Sequence, residues 1–260
     1  MSSSNRLSNV FSGEGAKKPA FVAFLTAGYP TLDITVPAML AMERCGVGLI
    51  EVGIAFSDPL ADGGTIAKAN QGALENGITM GKTLDLIREA RAAGLKTPIV
   101  LMGYINPILA YGMEKLTVDC KSVGVDGFIV VDLLPEDAGP FLVHCRSNDL
   151  AFIPLVAPTT PAARLPLIAS VASAFIYCVS VTGVTGSRTE LPADLADFIA
   201  RVRAQTKVPL AVGFGMSTAA HVASVGKLAD GVVMGSAIVR ALEEGGVPAL
   251  EKLLKEVIPN

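Results

Sequence analysis

The chain predicts an α/β fold, a single (β/α)8 TIM barrel, and three observations predict it. Short apolar runs recur eight times, each closed by glycine or turn residues and then followed by a helical pattern. These units repeat at intervals of roughly 25–35 residues with no break in composition, so 1–260 reads as one barrel domain without a linker. Hydrophobic residues make up 51% of the chain and charged residues 17%, with no tryptophan. A core of Ala, Val, Ile and Leu is what parallel strands buried on both faces require. A doubly wound open sheet is the alternative arrangement of the same units.

The predicted strands are 20–25, 49–53, 99–102, 127–131, 151–155, 175–178, 209–213 and 231–234. The helical patterns between them fall at 34–45, 83–93, 114–122, 136–147, 162–171, 195–203, 219–225 and 248–257. A short N-terminal helix precedes the first strand, and a short extra helix, 237–241, follows the eighth. Thr160-Pro161 and Ser217-Thr218 each place a capping oxygen ahead of a helical turn. Two loops are longer than the others: 54–66 after the second strand and 180–192 after the sixth. Long loops in compact domains are usually lids or binding loops, and in these barrels the chemistry lies in the loops that follow the strands.

Composition excludes several classes of function. The net charge is −3 with neither sign clustered, so nothing favours nucleic acid or an anionic membrane surface. Cys45, Cys120, Cys145 and Cys178 are widely spaced and read as buried free thiols of a reducing compartment. His144 and His221 are isolated, each on a predicted helix surface, which disfavours a metal site. The N-terminus lacks the apolar segment of a secretory signal. Residues 165–187 carry no charge, but their serines and glycines split them into a helix end, a strand and a loop rather than a membrane span. A cytoplasmic protein is expected.

Two carboxyls are the strongest chemical signal. Glu51 ends the apolar run Gly48-Leu49-Ile50, where an ionisable group is costly unless hydrogen-bonded or protonated with a raised pKa. Asp62 lies in the Gly- and Pro-rich loop that follows, in a more solvated setting. Carboxyls in unlike environments suit acid/base chemistry at neutral pH. A capping Asp and a salt-bridged Glu would leave the same trace. A second signal lies after the last two strands, at Gly213-Phe214-Gly215 and Gly235-Ser236, the latter opening the extra helix. Glycine backbone and a helix N-terminus together make an anion site, in the place where these barrels hold phosphate, and Gly186 adds another N–H.

With these features in place, the chain resembles the α subunit of tryptophan synthase. The resemblance is carried by Phe24-Leu25-Thr26-Ala27-Gly28-Tyr29-Pro30, the segment Glu51 to Gly63 with its Phe-Ser-Asp-Pro-Leu-Ala-Asp-Gly string, and Asn106-Pro107-Ile108. It continues through Gly124 to Gly127, Ala157 to Pro161, Gly183 to Gly186, Gly213 to Gly215 and Gly235-Ser236, and so spans nearly the whole chain. It implies a lyase that cleaves indole-3-glycerol phosphate to indole and glyceraldehyde 3-phosphate by retro-aldol acid/base chemistry, without a cofactor or metal. Glu51 is then the acid/base and Asp62 accepts a hydrogen bond from the indole N–H. Tyr177 lies near the end of the sixth strand, Thr185 orders the lid, and Gly186, Gly215, Gly235 and Ser236 bind phosphate. Phe24 and Phe214 surround the ring. The partner implied is a pyridoxal-phosphate β subunit or domain, while Asn106 orders its own turn or lies on the face towards that partner.

Some positions read both ways. Tyr177 fills the barrel or touches substrate, Asp132 caps a turn or accepts a bond behind the site, and Arg188 approaches from the lid. The sequence departs from the family where Ala55 and Gly64 replace prolines and Ala67 replaces glutamine. Loss of two prolines costs roughly 0.4–1 kcal/mol per site in ordering the loop. Lys68-Ala69-Asn70 and the segment from Ser224 to Gly231 look most like the α part of fungal fused enzymes. A stand-alone indole-releasing lyase and a weakly active partner that mainly activates β are alternative functions for the same residues.

Overall fold

In the computed structural model, residues 3–12, 19–179, 194–213 and 215–258 are described. The strands are β1 (Ala20–Thr26), β2 (Leu49–Gly53), β3 (Ile99–Gly103), β4 (Gly127–Val130), β5 (Ala151–Phe152), β6 (Leu155–Val156), β7 (Ile176–Val179), β8 (Leu210–Gly213) and β9 (Gly231–Met234). All pair in parallel, in the order β5-β4-β3-β2-β1-β9-β8-β7-β6.

The two ends of that order, β5 and β6, are pieces of the single strand expected at 151–155. Pro154 separates them, because proline has no N–H for the ladder. The ring nevertheless closes across the break. The Ile153 N–H donates to the Phe128 carbonyl (2.9 Å) on one side, and the Pro154 carbonyl accepts from the Tyr177 N–H (3.0 Å) on the other. The nine strands are thus the eight of a (β/α)8 barrel.

Alternation along the strands sorts the side chains into two cores. Val22, Leu49, Val100, Ile129, Phe175 and Val233 fill the inside. The larger cluster lies between the strands and the surrounding helices. The N-terminal helix α1 (Ser3–Ser12) closes the bottom of the barrel. Leu7 is fully buried there, the Phe11 ring centroid lies 4.9 Å from that of Phe175, and the Arg6 Nε donates to buried Asp126 (2.7 Å). The opposite end is left to the loops.

Predicted and observed helices agree at α9 (Leu195–Arg203) and α10 (Ala219–Val225), and within a few residues at α2 (Thr35–Arg44), α4 (Met80–Ala92) and α6 (Met113–Val123). Two helices escaped prediction. The first, α3 (Gly64–Glu75), opens with glycine, and its start reads as a continuation of the loop. The second, α5 (Ile105–Tyr111), carries Pro107 in its first turn, where the missing N–H has no helical partner to lose. The helix α7 (Gly139–Ser147) starts three residues later than expected, at the proline that favours a first turn.

After a short 3₁₀ turn, α8 (Leu165–Val171) completes the helix predicted at 162–171. The Thr160 hydroxyl does not cap it but accepts from the Ala157 N–H (2.9 Å), whereas Thr218 does cap α10, through the His221 N–H (3.2 Å). His221 is buried rather than on the surface, since this short helix turns it towards the core. The last run, α11 (Ser236–Val257), is interrupted at Gly245-Gly246, so the extra helix and the terminal helix join at a kink. Among the described residues no helix is long and apolar enough to cross a membrane.

Candidate active site

Glu51 is the middle residue of β2 and faces the barrel interior, by alternation with Leu49. It is 0% exposed, and neither carboxyl oxygen has a hydrogen-bond partner among the described residues. Burial alone pushes its pKa up to about 8. At neutral pH the side chain therefore holds a proton, as its place at the end of an apolar run implies. Among the described residues Glu51 forms no salt bridge, so the plainer reading of the sequence does not hold for it there.

Asp62 sits in the loop between β2 and α3, half-buried rather than freely solvated. Burial raises its pKa to about 6, and hydrogen bonds from Tyr104 and Asn70 offset part of that rise. Asn70 Nδ2 donates to Asp62 Oδ2 (3.0 Å), and its Oδ1 accepts from the Phe56 N–H (3.3 Å). The Tyr104 hydroxyl accepts from the Ala61 N–H (2.9 Å), and its ring lies 5.2 Å from that of Phe56. Neither Tyr104 nor Asn70 is among the predicted site residues, and Asn70 figures in the sequence only as the end of Lys68-Ala69-Asn70. One signal was available: Asn70 lies on the buried face of α3 with Ile66, Ala69 and Ala73, a polar residue in a core position.

Tyr177 points inward from β7, almost fully buried beside Phe175. Burial holds its phenol well above the usual range, and at the high pH where it would ionise the charges of Glu51 and Asp62 add to the effect. The phenol is therefore neutral and lies within electrostatic reach of both carboxyls. Room for it comes from Gly213, where an added Cβ would fall 2.0 Å from the Tyr177 hydroxyl. Phe24 stands beside Glu51 in the β1–β2 register. An added Cβ on Gly53 would fall 2.7 Å from the Phe24 ring, while one on Gly235 would be in ordinary contact with Phe24 at 3.5 Å. The aromatic ring thus runs from the carboxyl side to the glycines after β9.

Those glycines lead into a helix N-terminus. Gly235 precedes α11, whose first intrahelical bond is the Val239 N–H to the Gly235 carbonyl (3.0 Å). The N–H groups of 236–238, beginning with Ser236, have no intrahelical acceptor, and the helix dipole favours an anion. Gly215, after β8, adopts φ 74°, a left-handed conformation that favours glycine. Thr185, Gly186, Arg188 and Phe214 lie outside the described residues. Asp132 is a capping acceptor, taking the Ile105 N–H (2.8 Å) at the start of α5, and Asn106 is exposed on the same helix.

Gly64 is the first residue of α3, with open space around its Cβ position. Ala55 is half-buried in the preceding loop, and the Ala67 N–H bonds back to Gly63 (2.9 Å). The loop is thus anchored through Asn70 and Tyr104 although the family's prolines are absent.

Comparison with known proteins gives a consistent picture. The family model described as "Tryptophan synthase alpha chain" matches residues 11–258. The chain is 45% identical over 240 residues to the tryptophan synthase alpha chain of Chloroflexus aggregans, covering 92% of this chain and 90% of that one. It is 50% identical over 221 residues to the tryptophan synthase of Saccharomyces cerevisiae, of which it spans only 31%. Among solved structures, a chain of Mycobacterium tuberculosis tryptophan synthase superposes with a TM-score of 0.90 at 37% identity, over 97% of this chain and 96% of that one. A chain of the tryptophan synthase complex from Pyrococcus furiosus gives 0.85 at 38% identity, over 93% and 97%.

Proposed function

Since the chain belongs to the tryptophan synthase alpha chain family, we propose that Glu51 and Asp62 jointly carry the reaction of that family, cleavage of indole-3-glycerol phosphate to indole and glyceraldehyde 3-phosphate. The enzyme is an aldolase-type carbon–carbon lyase of tryptophan biosynthesis. The observation that carries the assignment of roles is the contrast between the two carboxyls, one protonated and one largely ionised near neutral pH.

Each proton then has a carrier. Glu51 gives its proton to indole C3, and the positive charge that develops on the ring nitrogen is met by the Asp62 carboxylate at the N–H. As the carbon–carbon bond breaks, its electrons return to the ring. The side-chain hydroxyl becomes the aldehyde and yields its proton to Glu51, which is restored. The cycle calls for no cofactor and no metal. Phe24, Phe214 and Tyr177 wall the ring, and Thr185 orders the lid. Gly186, Gly215, Gly235 and Ser236 take the phosphate, which fixes the reacting carbon between the carboxyls.

The partner is a tryptophan synthase β subunit or domain. Leu60, Leu109 and Leu134 support this: each is more than half exposed, Leu60 at 91%, and each lies in a segment following β2, β3 or β4, at the loop end of the barrel. Apolar side chains around a site mouth mark a surface for another protein. The unit at work is the single barrel of residues 1–260, and the free thiols support a reducing, cytoplasmic setting.

The test is indole release from indole-3-glycerol phosphate, with and without an added β subunit. Wild type should release indole and be stimulated by β, while Glu51→Gln should do neither chemistry nor recover with β. A high rate without β would favour an independent indole-releasing lyase. Absence of turnover in both settings would leave only the role of activating partner.

A further inference from the structure

We propose that Asn70 and Tyr104 form a two-donor clamp that positions Asp62 for the indole N–H, making both of them positioning residues of the reaction. The inference rests on the role given above to Asp62 and adds what holds that carboxylate in place.

The geometry is that of a staple closed at both ends. Asn70 projects from α3, and its amide orientation is fixed because one end must accept the Phe56 N–H while the other donates to Asp62 Oδ2. Tyr104 projects from the segment between β3 and α5, accepts the Ala61 N–H and hydrogen-bonds Asp62. Each clamp residue therefore grips the carboxylate and one backbone N–H of the loop 56–62. The loop is held from α3 on one side and from the barrel on the other. Tyr104 is itself fixed: its ring packs against Phe56 at a tilt of 35°, and the next N–H, that of Ile105, is bound by Asp132.

Two donors on one carboxylate leave lone pairs over for a third, which the site supplies as substrate N–H. Without the clamp, Asp62 would be a loop carboxylate free to rotate away or to take up a proton. The groups acting on it include Tyr104, Asn70 and, across the barrel, Tyr177; Asp132 acts on Tyr104 in turn. The two clamp bonds favour the charged form of Asp62, against the burial that disfavours it.

Two variants separate clamping from mere packing. Asn70→Leu keeps the size of the buried side chain but removes the donor without adding a charge. Tyr104→Phe keeps the ring against Phe56 but removes the hydroxyl. Both should lower kcat by about 10- to 100-fold, the effect of removing a hydrogen bond to a charged group, with a smaller change in KM. In ¹³C-carboxyl NMR of the free protein, with the Asp62 signal assigned by its absence in Asp62→Asn, the titration of Asp62 should move to higher pH in each.

Wild-type kcat together with an unmoved Asp62 titration in either variant would overturn the clamp. If instead Asp62→Asn itself kept the wild-type rate, the role of Asp62 would fail first, and the two failures are distinct. Should Tyr104→Phe not fold, Asn70→Leu carries the test alone.

Discussion

Replacing Glu51 by glutamine should change how stability depends on pH, and the size of the change follows from the burial of that side chain. In the folded protein Glu51 keeps its proton up to about pH 8, whereas its ordinary value is 4.5. Between those values the unfolded chain binds fewer protons than the folded one, so wild-type stability falls as pH rises. The slope is about 1.4 kcal/mol per pH unit, which accumulates to on the order of 3–4 kcal/mol between about pH 5 and pH 8.

Glutamine does not titrate, so Glu51→Gln lacks this loss. It has a fixed cost of roughly 1–3 kcal/mol for an unsatisfied buried amide, equal at every pH. Asp62 also has a raised pKa, but it is present in both proteins and cancels in the difference. The assay is urea unfolding of both proteins across that pH range, read as the difference of the two stabilities. The variant should gain on the wild type steadily as pH rises and level off above about pH 8. A constant difference would refute the reasoning, because it would mean that Glu51 ionises in the folded state as readily as in the unfolded one.

Three further outcomes are expected. Asp62→Asn should lose on the order of 10²-fold or more in kcat with its fold intact, as removal of a positioned electrostatic group does, and steady-state kinetics beside far-UV circular dichroism will check it. Gly64→Pro should stabilise the protein by about 0.4–1 kcal/mol, since the first turn of a helix accepts proline without losing a bond, and thermal unfolding reads this directly. Gly213→Ala should cost roughly 1–3 kcal/mol and disturb the site, because the new methyl group meets the Tyr177 hydroxyl. Adding Tyr177→Phe should recover only part of that loss, since the ring carbons are also within 3 Å of the added Cβ, the nearest at 2.4 Å.

The barrel was legible from sequence because its strands are buried on both faces and therefore read as uninterrupted apolar runs. Leu49–Gly53 and Gly231–Met234 have the predicted ends. Helices were lost where their first turns contain the residues that usually mark loops, Gly64 in α3 and Pro107 in α5. Glu51 stood out as an acid in the middle of a greasy strand, and its lack of hydrogen-bond partners among the described residues is the physical form of that signal. The partners of Asp62 did not stand out. Asn70 comes from the missed helix, and Tyr104 follows a strand more than forty positions away, so only folding brings them together. The broken strand at Pro154 was read as continuous because its flanking residues are apolar on both sides.

The pH dependence of kcat/KM for indole release tests the central claim most directly, since it reports the acid and base of the free enzyme. With Asp62 ionised above about 6 and Glu51 protonated below about 8, the profile should be a bell with its plateau between those values. Asp62→Asn should erase the acid limb from whatever activity remains. Activity that climbs through the upper value without falling would contradict the account, because Glu51 would then be working without the proton that cleavage requires.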